Sequence, residues 1–135
     1  MVPRMSDLIL NQLQNSLTAF FDEMIELFPK EPDFIKIRIY IKDRVDIQDV
    51  MDLLTYNLNR VTGENTTLRS MIKERDDRGI MDSHILSEYF SKDKLVYYKK
   101  FWNSPRLETE DRKMVWKWVD SFVGICDKYN KSKVN

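Results

Sequence analysis

Apolar residues recur at spacings of three and four over most of this chain, the repeat that keeps side chains on one face of a helix. The clearest run is Leu10, Leu13, Leu17, Phe20, Met24 and Leu27. Ile9, Phe21, Ile25 and Phe28 widen this seam, so the first helix is expected to lie across a globular core rather than along a single coiled-coil partner. Ser6 offers an N-cap and Asp7 a first-turn acid, with Met1 to Met5 expected to fray ahead of them. Pro29 ends the helix, because proline lacks the N–H of the hydrogen-bond ladder and disfavours helix at the residue before it.

Residues 34–42 depart from this pattern. Ile35, Ile37, Ile39 and Ile41 alternate with Lys36, Arg38, Tyr40 and Lys42, which by period alone describes a half-buried strand. No second stretch alternates in this way, so such a strand would need a partner from another copy of the chain. Against it, Pro32 and Asp33 make a favourable helix opening, and Phe34, Ile37 and Ile41 fall on one helical face. The helix is the expectation, and the strand stands as its alternative.

The helical period then returns. Asp46 caps a helix that buries Ile47, Val50, Met51, Leu54, Leu58 and Val61, closed by Gly63. A shorter helix from Thr66 or Thr67 carries Leu68, Met71 and Ile72, and its polar end leads to Gly79. Ile85, Leu86, Tyr89 and Phe90 mark a short helical piece from Asp82, and Ser91 with Asp93 opens a helix running to Trp102.

After the turn Asn103-Ser104-Pro105, Thr109 caps the last helix, with Glu110 and Asp111 facing the positive end of its dipole. Val115, Trp118, Val119, Phe122, Cys126 and Tyr129 form its main apolar face. Trp116 and Val123 lie on a flank, roughly 60 to 100 degrees from the centre of that face at ~3.6 residues per turn. Apolar residues therefore cover more than half the girth of this helix. Either it runs through the middle of the fold or its flank meets another protein, which makes Trp116 and Val123 candidate partner-binding residues.

Composition agrees with an all-α reading. With 3 glycines and 4 prolines in 135 residues there is little room for long loops, and the length suits one domain. The expectation is a single domain over residues 1–135 with five to seven helices. Apolar runs fall far short of the ~20 residues of a membrane span, and the opening MVPRMSD has no apolar signal-peptide region. An intracellular soluble protein is therefore expected. The single cysteine, Cys126, has no internal disulfide partner and fits a reducing compartment.

Net charge is zero but unevenly distributed. Residues 1–91 hold 11 Lys and Arg against 16 Asp and Glu, while residues 92–135 hold 11 against 6. Such polarity can steer association, although solvated helix faces of opposite sign produce the same counts.

Chemical signatures are sparse. His84 has no nucleophile motif beside it, and Cys126 reads as a packing residue. Glu74, Asp76, Asp77 and Asp82 lack the order of a calcium loop, and Arg75 and Arg78 among them suggest local ion pairs. Gly63 and Gly79 stand alone, which excludes the known phosphate-cradling loops. No catalytic residue, metal site or cofactor is predicted. In residues 92–102, Lys92, Lys94, Lys99 and Lys100 interleave with Tyr97, Tyr98, Phe101 and Trp102, combining cations for phosphate with rings for stacking. On a helix, however, part of this set turns inward and the lysines become ordinary solvent-facing residues.

At FFDEMIELFP, IKDRVDIQDVMD and FWNSPRLETEDRKMVWKWVDSFVGICDKY the chain resembles small helical proteins of nucleocytoplasmic large DNA viruses, over about Phe20 to Tyr129. The resemblance carries no assigned activity. It implies a viral protein made in an infected cell, in the host cytoplasm or virus factory, and packaged in the particle. The functional expectation is a non-enzymatic interaction or structural protein with a protein partner or a second copy of itself. The alternative is a nucleic-acid-associated module using Lys92, Lys94, Lys99, Lys100 and Tyr97.

Overall fold

Proline at a helix start, side-chain caps and apolar stripes turn this sequence into helices. A computed structural model of the chain describes residues 4–62 and 65–133, and every regular element among them is helical. There are eight: α1 (Met5–Leu27), α2 (Pro32–Asp43), α3 (Ile47–Asn59), α4 (Leu68–Lys73), α5 (Asp77–Asp82), α6 (His84–Tyr89), α7 (Lys92–Trp102) and α8 (Thr109–Lys133). The count exceeds five to seven because the acidic stretch after α4, expected as a turn, itself forms α5. An isolated bridge between Val61 and Thr67 is the only extended pairing among the described residues.

The described residues divide into two compact units: the chain up to Thr55 together with the stretch from Ser121 onward, and Tyr56–Asp120. In the first unit α1 and α2 pack as an antiparallel-type pair across the Pro29 turn. Gln14 Nε2 donates to the Ile41 carbonyl at 3.0 Å, and Arg38 pairs with Asp22. Phe34 meets Phe21 and Phe28, each at a ring separation of 6.4 Å. Ile9, Leu13, Leu17 and Met24 are buried along α1 and Phe28 just past its end, Ile41 on α2, Met51 on α3, and Ile125, Cys126 and Tyr129 on α8. Tyr129 Oη donates to Gln48 Oε1 at 2.7 Å, so its ring is buried while its hydroxyl is satisfied.

Residues 34–42 are helical. Pro32 occupies the first turn of α2, where its missing N–H is no loss, and the alternation of isoleucines leaves Ile35 and Ile39 exposed while Ile41 is buried. The strand alternative is thereby set aside. Other expectations are corrected in detail. Ser6 does not cap α1; the N-cap is Arg4, without a side-chain bond, and Met5 already belongs to the helix. Leu27 is exposed and Phe28, just past the helix end, is buried in its place. Val61 is exposed, because α3 ends at Asn59 and the stripe does not extend to it. Gly63 and residues 1–3 lie outside the described residues.

In the second unit the caps are explicit. Thr67 and Ser70 form a capping box at α4, Asp76 caps α5 through the Gly79 amide at 2.9 Å, and Ser91 caps α7 through the Lys94 amide at 3.2 Å. Gly79 is thus not a turn residue but the third position of α5; a side chain there would run into the Asp76 carboxylate. Leu58, Met71, Ile85 and Leu107 are the buried apolar residues of this unit, with Asn57 beside them in burial. Leu107 lies in the turn between α7 and α8, a position that no periodicity marks.

Candidate functional site

The second unit carries an open pocket of about 260 Å³ between Trp102 of α7 and Trp116 of α8. Leu68 and Ile72 of α4 and Ile80 and Met81 of α5 form one side. Leu86 of α6 and Val115 and Val119 of α8 complete it, with Asp77 at its edge. The short helices α4 to α6, of six residues each, place these residues, while Met71 of α4 and Ile85 of α6 are buried outside the pocket lining. A cavity of about 150 Å³ accepts a benzene ring, so this one has room for one large apolar side chain.

The two tryptophans are held in defined orientations. Their rings meet edge to face, 6.0 Å apart at 88°, the geometry that aromatic quadrupoles favour. Trp102 Nε1 donates to Asp77 Oδ2 at 2.6 Å, and the Arg112 guanidinium donates to the Trp102 carbonyl at 2.9 Å. Arg75 lies over the Trp116 ring at 4.9 Å and pairs with Asp120 through two bonds of 2.7 and 2.5 Å. The hydrogen bonds from Arg75 hold the Asp120 carboxyl below its ordinary pKa, against an opposing effect of burial.

Arg75 has a backbone φ of 58°, in the left-handed region that favours glycine. It follows Glu74, the C-cap of α4, in a Schellman-type closure, with the Asp76 amide donating to the Met71 carbonyl at 2.8 Å and the Arg75 amide to the Ile72 carbonyl at 3.1 Å. A long cationic side chain therefore occupies a position where glycine would fit without strain, and that side chain is the one laid against Trp116.

A second, polar pocket of about 470 Å³ shares Asp77, Met81 and Trp102 with the apolar one as a common wall. Arg78, Asp82, Lys99 and Asn103 complete it. Lys99 pairs with Asp82, whose carboxyl is held below its ordinary pKa chiefly by that hydrogen bond. The carboxylates of this stretch thus take partners distant in sequence, Lys99 for Asp82 and the Trp102 N–H for Asp77, while Arg75 pairs with Asp120 and Arg78 acts on Asp82 only through its field, so the local ion pairs expected are not what engages them.

Of the sequence candidates, Trp116 lines the apolar pocket, half-buried. Val123, seven positions later on α8, is half-buried in the other unit and does not belong to this site. Lys92, Lys94 and Lys100 are exposed on α7, Tyr97 is exposed with Lys94 6.0 Å from its ring, and Lys99 is turned to Asp82. His84 is exposed and shares a pocket of about 430 Å³ with Glu74, Asp76 and Asp82. Asp76 is occupied by the α5 cap and Asp82 by Lys99. Cys126 is buried. Among the described residues no group of three or more His, Cys, Asp or Glu is placed to hold a metal ion, and no helix is long and apolar enough to cross a membrane.

Arg75, Asp77 and Arg78 were legible in sequence only as members of a charged turn, and Ile80 and Met81 not at all. Comparison with protein-family models, with curated proteins and with solved structures finds no match for the chain.

Proposed function

We propose that this chain is a non-enzymatic interaction protein that receives an apolar side chain of a protein partner in the pocket between Trp102 and Trp116. The observation that carries this reading is an open, apolar-lined pocket walled by two oriented tryptophans. Aromatic residues set in desolvating pockets are where binding energy concentrates at protein interfaces, and a volume of about 260 Å³ suits one anchoring side chain. The resemblance to large DNA virus proteins extends the proposal to a role in the infected cell and in the particle, which mass spectrometry of purified particles tests.

The pocket itself is tested by NMR. Blocked phenylalanine amide, added to the full chain, is expected to shift the indole N–H signals of Trp102 and Trp116, and to shift that of Trp102 less in Trp116→Ala. Shifts absent at solubility-limited probe concentration overturn the reading.

A second reading, contact with nucleic acid along α7, rests on the exposure of Lys92, Lys94, Lys100 and Tyr97. With Lys99 paired to Asp82, fewer cations are presented than the sequence suggested. Binding to single- or double-stranded DNA or RNA that weakens steeply with salt supports it; absence of binding at low salt removes it.

A further inference from the structure

The polar pocket on the far side of the Asp77 and Trp102 wall tells what kind of segment would bring an apolar side chain to the tryptophans. Four charged residues line it, and three of them are engaged. Asp77 accepts the Trp102 indole N–H, and Asp82 and Lys99 pair with each other. Arg78 is the exception: its side chain is exposed, lines this pocket, and makes no hydrogen bond or ion pair with other described residues, acting on Asp82 only through its field. A guanidinium is a fork of donors suited to a carboxylate. The pocket it lines has Asp77, Met81 and Trp102 in common with the apolar one, and Asp77 is its neighbour in the chain.

We infer that the partner segment is acidic, an apolar side chain entering between Trp102 and Trp116 while a neighbouring carboxylate pairs with Arg78. This rests on the proposed role of the apolar pocket and adds the charge of the partner to it. A basic segment would meet Arg78 with like charge, and a neutral one would leave the guanidinium covered and unmatched, which costs binding. The segment must be one in which carboxylate and apolar side chain lie on the same side, as neighbours three or four apart on a helix do.

The test uses the full chain and three blocked pentapeptides, each with a central phenylalanine flanked by two glutamates, two glutamines or two lysines. Affinity is read from the Trp102 and Trp116 indole signals. The glutamate peptide is expected to bind about tenfold more tightly than the lysine peptide, a charge-assisted contact of ordinary strength. Arg78→Gln, an exposed change whose fold is checked by circular dichroism, should reduce that ratio to near one, chiefly by weakening the glutamate peptide. Added salt should reduce the ratio as well.

Equal binding of all three peptides, or a ratio unchanged in Arg78→Gln, overturns the inference while the apolar pocket stands. No binding by any peptide or by phenylalanine amide overturns the pocket reading itself. Phenylpropionate tested in parallel separates a small acid from a peptide: if it alone binds, the occupant is not a protein segment. Light scattering covers the remaining occupant, since self-association lost in Trp116→Ala would mean that a second copy fills the pocket and that the inference is wrong.

Discussion

Replacing Arg75 separates the strain of its backbone from the contacts of its side chain. At φ 58° a residue with a Cβ is destabilised by about 1 kcal/mol relative to glycine. Against this stand the two bonds to Asp120, the position over Trp116 and a 3.1 Å bond from Nη1 to the Ile72 carbonyl. The side chains of Arg75 and Asp120 are 43% and 49% exposed, which places the pair with surface ion pairs at about 0.2 to 1 kcal/mol. The cation over an aromatic face at a similarly exposed site adds about 0.5 to 1 kcal/mol. Arg75→Ala keeps the strain and loses the contacts, so it should destabilise by about 1 to 2 kcal/mol. Arg75→Gly loses the same contacts but relieves the strain, and should be more stable than the alanine variant by about 1 kcal/mol.

Urea unfolding followed by tryptophan emission measures this directly. Trp102, Trp116 and Trp118 all fall within Tyr56–Asp120, so the signal reports the unit in which Arg75 acts. A double-mutant cycle with Asp120→Ala should return a coupling of about 0.5 to 1 kcal/mol. If Arg75→Ala matches the wild type within ~0.3 kcal/mol, the additive limit for independent sites, the contacts contribute nothing. If glycine is no better than alanine, the left-handed backbone is not what holds this turn.

Two further outcomes follow from the same unit. Asp120 has a folded-state pKa depressed by the Arg75 hydrogen bonds, so its contribution is present above the unfolded value of about 3.9 and is lost as pH falls through the lower folded value; the stability lead of wild type over Asp120→Asn should therefore be constant near neutrality and vanish in acid, read from urea midpoints between about pH 6 and 2.5. Gly79→Ala should be close to neutral, because the new Cβ displaces the capping carboxylate of Asp76, worth about 1 kcal/mol, while alanine in place of a helical glycine returns about as much; in an Asp76→Ala background only the gain remains and the same change should stabilise by about 1 kcal/mol, a non-additivity seen in the same unfolding assay.

Four helix starts, at Pro32, Asp46, Thr67 and Ser91, were readable residue by residue, whereas Thr109, expected as a cap, is already the first residue of α8. Thr67, Ser91 and Pro32 act through bonds or dihedrals within three positions of themselves, so a short window contains all the physics. Ser6 misled because a cap residue is recognised by type, and nothing local decided that α1 should start one turn-fraction earlier at Met5. The isoleucines of residues 34–42 kept a strand open beside the expected helix, since a period of two counts hydrophobicity but not the absence of a pairing strand, and the segment is helical. Trp116 was singled out for its flank position, and it does line the pocket; Val123 shared the flank but not the site.

What the sequence determined by itself was the all-α class, the approximate limits of the long helices and most of the α1 face, because intervals of three and four residues, caps and prolines act over distances shorter than a helical turn. What only the tertiary structure decided was which separate pieces meet. Arg75 finds Asp120 across 45 positions and Trp102 finds Asp77 across 25, while Leu107 is drawn from an irregular turn into the core. Contacts of that range leave no periodic trace, since their geometry depends on how three short helices pack around two tryptophans and not on any one segment's own pattern.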